Sequence, residues 1–196
     1  MKILAIRLKN LASLAGPFEI DFTAEPLASA GLFAITGPTG AGKSTLLDAL
    51  CLALFGAVPR LGDTGQAKMP DADTDISIGD PRTLIRRGTG GGYAEVDFVG
   101  VSGRRYRARW EANRARDKAS GKLQNSRQSL IDLDSDQLLA SQKTEYKTQL
   151  ELALGLNFEQ FTRAVLLAQS EFSAFLKAND NERSELLEKL TDTALY

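Results

Sequence analysis

Eight consecutive residues, Gly37-Pro38-Thr39-Gly40-Ala41-Gly42-Lys43-Ser44, carry the clearest chemistry in the chain, because they fill every position of the phosphate-binding pattern G-x-x-x-x-G-K-[ST]. A loop that wraps a polyphosphate turns its backbone N–H groups inward, and Gly37, Gly40 and Gly42 permit dihedrals that a Cβ blocks. Lys43 brings a full positive charge to the β and γ phosphates, the Ser44 hydroxyl is a ligand for Mg²⁺, and Thr45 is placed to bond the α phosphate. That chemistry is the expected binding of a triphosphate together with Mg²⁺. Gly-rich strand-to-helix turns also occur without a ligand, so the pattern has to be judged by its surroundings. A dinucleotide fold is disfavoured, since the spacing is not G-x-G-x-x-G.

Three elements must position those groups: a strand, the glycine loop and the start of a helix. Leu32-Phe33-Ala34-Ile35-Thr36 is a short apolar run that reads as a buried strand feeding the loop. Thr45 to Phe55 contains neither Pro nor Gly and reads as a helix, whose N-terminus adds unsatisfied N–H groups and the positive end of its dipole. Upstream, Lys2 to Lys9 is β-prone and Phe18-Glu19-Ile20-Asp21-Phe22 alternates strictly, so two strands joined by a turn over Asn10 to Pro17 are expected. Downstream, Gly56 to Asp80 is rich in Gly, Pro and Asp and reads as a surface loop. Its acids Asp71, Asp73 and Asp75 lack the glycine and closing glutamate of a calcium loop.

Tyr93 to Val99 and Arg104 to Trp110 alternate around Gly100-Val101-Ser102-Gly103, which predicts a hairpin, with a third strand over Arg127 to Leu133. Period two places Arg105, Arg107 and Arg109 on one face. Between Arg104 and Lys118, seven basic residues stand against Glu111 and Asp117. With Arg114 and Arg116 this asymmetric patch fits DNA phosphate contacts, and it equally fits an edge strand defended by cations. From Thr144 the spacing becomes helical, running through Leu150, Leu154, Phe161, Ala164, Val165, Ala168 and Phe172. The stretch Asp180 to Asp192 reads as an amphipathic helix with an acidic N-cap.

Composition sets outer bounds. The chain has 196 residues, enough for one α/β lobe, and its 43% hydrophobic content suffices for a core. A net charge of -1 excludes a generally basic coat for nucleic acid, so any polyanion site must come from local clustering. Its single cysteine, Cys51, rules out an internal disulfide and falls within the predicted helix as a small apolar residue. Histidine is absent, which removes the usual general base. No signal-peptide core or long apolar run is present, so a soluble, cytoplasmic protein without membrane contact is expected.

Two strands followed by a strand into a phosphate loop resemble the layout of the ABC-type ATPases. Met1-Lys2-Ile3-Leu4, Arg7-Leu8-Lys9-Asn10-Leu11 and Gly31 to Ser44 resemble in detail the SMC-like DNA-repair branch, the SbcC family. Val58-Pro59-Arg60-Leu61, Asn113-Arg114-Ala115-Arg116 and Glu182 to Thr191 resemble it too. The resemblance implies an α/β P-loop NTPase of ABC-ATPase type, with a mixed sheet, an antiparallel β portion and flanking helices. It implies the N-terminal half of a split head: an N-terminal lobe over residues 1–178, then a helical segment over 179–196 leading toward a coiled coil. Asn10 and Ser13 become nucleotide contacts by resemblance, although the basic residue frequent in the family is replaced here by Ala12. Gln169 matches the Q-loop glutamine that reaches Mg²⁺ and the attacking water, while Ser170 departs from the glycine that usually follows. Lys43 and Gln169 are then the catalytic candidates, and Ser44 and Gln169 the metal ligands.

The same resemblance implies an SbcD-type nuclease partner, an ATP-dependent dimer with a second head, and DNA as the substrate of the complex. Phosphoryl transfer also requires an acidic metal holder and a group that places water. No Leu-Ser-Gly-Gly signature or apolar strand ending in paired acids follows Gln169. By resemblance those parts belong to a second half of the head, so negligible hydrolysis by these residues alone is expected. The alternatives are a chromosome-organising ATPase without a nuclease partner, an ABC transporter ATPase and a small-molecule kinase. The phosphate loop cannot separate them, and the flanking similarity favours the nuclease system.

Overall fold

In the computed structural model, the described residues are 1–61, 67–71 and 74–166. The chain divides into two units, Met1–Gly155 and Leu156–Tyr196. The first is built on a six-stranded sheet in the order β2-β1-β5-β6-β7-β8, formed by β1 (Lys2–Lys9), β2 (Phe18–Asp21), β5 (Gly91–Val99), β6 (Arg105–Asn113), β7 (Arg127–Asp132) and β8 (Gln137–Ala140). Every neighbouring pair runs antiparallel. This is the antiparallel portion expected from the alternating segments.

Alternation decides which face is core. Ile6 and Leu8 of β1 lie opposite Val96 and Ala94 of β5, which in turn face Ala108 and Trp110 of β6. These residues are buried, as are Phe98 and Leu130 beside them. Helix α1 (Lys43–Phe55) packs on β1, β5 and β6, while α2 (Lys143–Leu154) packs on β7 and β8. Both helices end at a left-handed glycine, Gly56 and Gly155, where only a residue without Cβ turns freely. The C-terminal carbonyls of α1 are buried and need a donor. The Tyr146 hydroxyl of α2 supplies it, lying 2.7 Å from the Ala53 carbonyl and 3.0 Å from that of Leu54.

Two expectations are corrected in this unit. Residues 56–80 are not all loop: β3 (Lys68–Asp71) and β4 (Thr74–Ser77) pair as a hairpin. Proline at position 70 is tolerated because, among the described residues, the hairpin has no third strand to receive its missing N–H. Residues 32–36, expected as a buried strand, form no strand and are exposed, with Leu32 at 93% and Phe33 at 48%. An extended segment becomes a strand only when a neighbour supplies the other half of the ladder. Among the described residues none does.

The second unit begins with α3 (Phe158–Phe161), closed by a reciprocal capping box. The Asn157 side chain accepts from the Gln160 N–H at 2.9 Å, and the Gln160 side chain accepts from the Asn157 N–H at 3.0 Å. A π-helical turn, Thr162–Leu166, follows. Gln169 and the amphipathic stretch 180–192 lie outside the described residues.

Candidate nucleotide site

The loop 37–42 delivers the chain into α1 through three glycines with positive φ: +153° at Gly37, +83° at Gly40 and +93° at Gly42. Gly42 is the N-cap of α1, and among the described residues no side-chain hydrogen bond caps the first turn. Those donors and the helix dipole are therefore available to an anion. A Cβ added at Gly40 would meet nothing within 4 Å, so the loop is open on that side. Lys43 sits at the first helical position and bends back over the loop, its Nζ 2.7 Å from the Gly37 carbonyl and 2.9 Å from the Pro38 carbonyl. The ammonium thus donates to two carbonyls of the loop's own backbone. A phosphate oxygen is a stronger acceptor for the same donor. Pro38, Thr39 and Ala41 lie exposed on the loop, and in the first turn of α1 Ser44 is exposed and Thr45 buried.

The first turn holds the other two residues expected at the nucleotide. Asn10 donates its side-chain amide to the Gly91 carbonyl at 2.9 Å, so it braces the sheet end. Ser13 is exposed, and its carbonyl accepts from Arg86 Nη1 at 2.6 Å. Sequence reasoning passed over Asp48 and its pairing with Arg60. Asp48 is buried on α1, and Arg60 reaches it through Nε at 3.0 Å and Nη2 at 2.5 Å. Burial still pushes the Asp48 carboxyl above its ordinary range, the Arg60 bonds offsetting only part of that. An acid in an apolar helix followed twelve residues later by an arginine directly after Pro59 was the available signal.

The arginine strand is neutralised by the fold. Arg105 bonds Asp134 at 2.7 Å, Arg107 bonds Asp97 at 2.7 Å through both Nε and Nη2, and Arg109 bridges Glu95 at 3.0 Å and Glu111 at 3.1 Å. Arg114 holds Asp71 of the β3–β4 hairpin at 2.5 Å. Arg7 joins the ladder from β1, reaching Asp97 at 2.8 Å and Glu19 at 2.8 Å. Burial penalises the Asp97 charge, but hydrogen bonds from Arg107 and Arg7 outweigh it and hold its carboxyl below the usual range. Of the five arginines considered for DNA, Arg116 alone has no ion pair among the described residues. It is exposed at a turn with φ +59°, beside exposed Lys118 and Lys122.

Among the described residues no helix is long and apolar enough to cross a membrane. A glycine loop opening an uncapped helix, with a lysine and a hydroxyl at its rim, defines a P-loop nucleotide-binding protein. Residues 5–196 match the AAA domain family, and the chain belongs to it. Over its whole length the chain is 71% identical to the C-subunit of nuclease SbcCD from Pseudomonas aeruginosa and 54% identical to its namesake from Rhodobacter capsulatus. It is 30% identical, over 95% of its length, to a probable DNA double-strand break repair Rad50 ATPase of Aquifex aeolicus. The chain spans 16% of the length of each of these relatives.

Proposed function

We propose that this chain is the ATP-binding, N-terminal half of a split ATPase head in a complex that processes DNA double-strand ends for repair and recombination. The observation that carries the reading is the phosphate loop itself, open and uncapped at the start of α1, in a chain with 71% identity to the C-subunit of an SbcCD nuclease. Lys43 neutralises the β and γ phosphates, the Ser44 hydroxyl and the Gln169 side chain hold Mg²⁺, and Thr45 bonds the α phosphate. Mg²⁺, when bound, offsets the charge that develops on the transferred phosphoryl group. Residues 1–178 form the lobe and 179–196 lead toward the coiled coil.

That residues 32–36 have no strand partner among the described residues supports the split. Beside it lies an apolar groove of about 530 Å³, lined by Ile6, Ile20, Phe22, Phe33, Ile35 and Leu47 among others. In the complete head the second half covers this groove and supplies the missing strand partners, the signature and the acidic metal holder. Two heads joined through ATP form one state and separated heads another, and hydrolysis shifts the balance. That shift controls access of DNA ends to an SbcD-type nuclease partner. The setting is cytoplasmic and nucleoid-associated. The DNA contact is made first by Arg116, Lys118 and Lys122. Arg105, Arg107, Arg109 and Arg114 would have to leave their carboxylates to join it.

Lys43→Ala in the full-length protein is expected to weaken Mg-ATP binding at least about tenfold and to lower turnover by about two orders of magnitude. Nucleotide titration and phosphate release measure both. Unchanged affinity and turnover would refute the proposal.

A further inference from the structure

The turn between β1 and β2 passes twice through the left-handed region, at Asn10 with φ of +53° and at Ala12 with +45°. Asparagine tolerates that conformation, but alanine stays there only where neighbours over-determine the backbone, and such places gather at functional sites. Here the neighbours are Leu84 to Arg86. The Ala12 N–H donates to the Leu84 carbonyl at 2.8 Å, and the Arg86 N–H donates to the Asn10 carbonyl at 2.9 Å. The half-buried Arg86 side chain adds a second hold on the turn, with Nη1 2.6 Å from the Ser13 carbonyl and 3.3 Å from the Ala12 carbonyl.

The next residue touches the phosphate loop. A Cβ placed on Gly42 would fall 2.6 Å from Leu14 Cδ2, so the Leu14 side chain rests directly on the N-cap of α1. Leu11 and Leu14 exchange backbone hydrogen bonds at 3.0 and 2.8 Å, which makes the turn a stiff unit. The path from the Arg86 guanidinium to Gly42 therefore runs through the Ser13 carbonyl and the adjoining Leu14. The dihedrals of Gly42 aim the first N–H groups that a phosphate would meet.

We propose that Arg86 is a positioning residue for the nucleotide site: it pins the Ala12 and Ser13 carbonyls so that Leu14 buttresses Gly42 and keeps the loop shaped for phosphate before nucleotide arrives. This rests on the reading of the loop as an ATP site. A guanidinium suits the task because it donates several hydrogen bonds in a fixed plane. A shape set in advance lowers the ordering cost of binding, so its loss falls on affinity more than on chemistry.

The test compares Mg-ATP affinity, KM, kcat and melting temperature for wild type, Lys43→Ala, Arg86→Ala, Arg86→Lys and Leu14→Ala, all in the full-length protein. Arg86→Ala is expected to raise Kd and KM about tenfold while kcat changes less than about twofold. Arg86→Lys, which keeps a cationic donor, should recover to within about threefold of wild type. Leu14→Ala should reproduce the rise, because it removes the buttress and leaves the guanidinium in place. Wild-type affinity in Arg86→Ala overturns the proposal, as does an Arg86→Lys variant no better than Arg86→Ala. A neutral Leu14→Ala beside a weakened Arg86→Ala overturns it too, since Arg86 would then act on the nucleotide directly. Should Arg86→Ala fail to fold, Leu14→Ala decides alone: weakened binding supports the buttress and unchanged binding overturns it. If Lys43→Ala binds Mg-ATP like wild type, the ATP reading itself has failed. If only Lys43→Ala weakens binding, the ATP reading stands and the Arg86 inference falls.

Discussion

Lys43 is tied to the loop it follows: its Nζ donates to the Gly37 and Pro38 carbonyls at 2.7 and 2.9 Å, and a phosphate oxygen is a stronger acceptor for such a donor. Further along the same helix Cys51 is fully buried, and burial pushes its thiol up to about 12, with the nearby Asp48 adding to the rise. At pH 8 only about one thiol in ten thousand is then ionised, and the thiolate is the reactive form. Native protein is expected to resist a thiol reagent such as iodoacetamide at that pH, and to react once unfolded. Mass spectrometry of alkylated protein, with and without denaturant, checks it.

At the scale of elements, stability hangs on how α1 and the sheet are tied down. The Tyr146 hydroxyl serves two buried carbonyls at the end of α1, and burial raises the tyrosine's own pKa, so it remains a donor at all working pH. Tyr146→Phe leaves those carbonyls short of a donor and is expected to cost about 1–2 kcal/mol, read from urea melts. On the opposite face of the sheet, Asp97 is held ionised by Arg107 and Arg7. Because its folded pKa lies below the unfolded value, its contribution is complete above about pH 4 and is lost as pH falls through the folded value. Asp97→Asn should therefore destabilise the protein at pH 7 by about 2 kcal/mol, with both arginines partly solvated. It should also flatten the fall in stability between neutral pH and pH 3. Urea midpoints for wild type and variant at both pH values test the sign.

For the molecule as a whole, charge distribution decides where a polyanion can sit. Counted along the chain, Arg104 to Lys118 is the basic patch; once folded, most of it faces carboxylates from β5, the hairpin and the turn at Asp132 and Asp134. The cations without ion pairs at the 116–122 turn are the better candidates for phosphate contact. Replacing Arg116, Lys118 and Lys122 together by Gln in the intact complex is expected to weaken duplex binding about tenfold or more. The slope of log K against log salt should become shallower by about two to three. Anisotropy titrations at several salt concentrations would report both. Equal slopes would place the contact elsewhere.

The phosphate loop, its following helix and the β5–β6–β7 meander were legible in the residues, because each rests on local rules: glycines where φ is positive, no helix breakers over Thr45 to Phe55, and period-two alternation from Tyr93 to Trp110. The β3–β4 hairpin was missed, since its strands are four residues each and interrupted by Pro70. Tertiary structure alone decided three matters: that the arginine ladder is self-neutralised, that residues 32–36 lack a strand partner among the described residues, and that a turn far upstream rests on Gly42. Each depends on what a distant segment places alongside. Arg7 meets Asp97 across 90 positions of chain, and a pattern read within a few residues carries no information about such a neighbour.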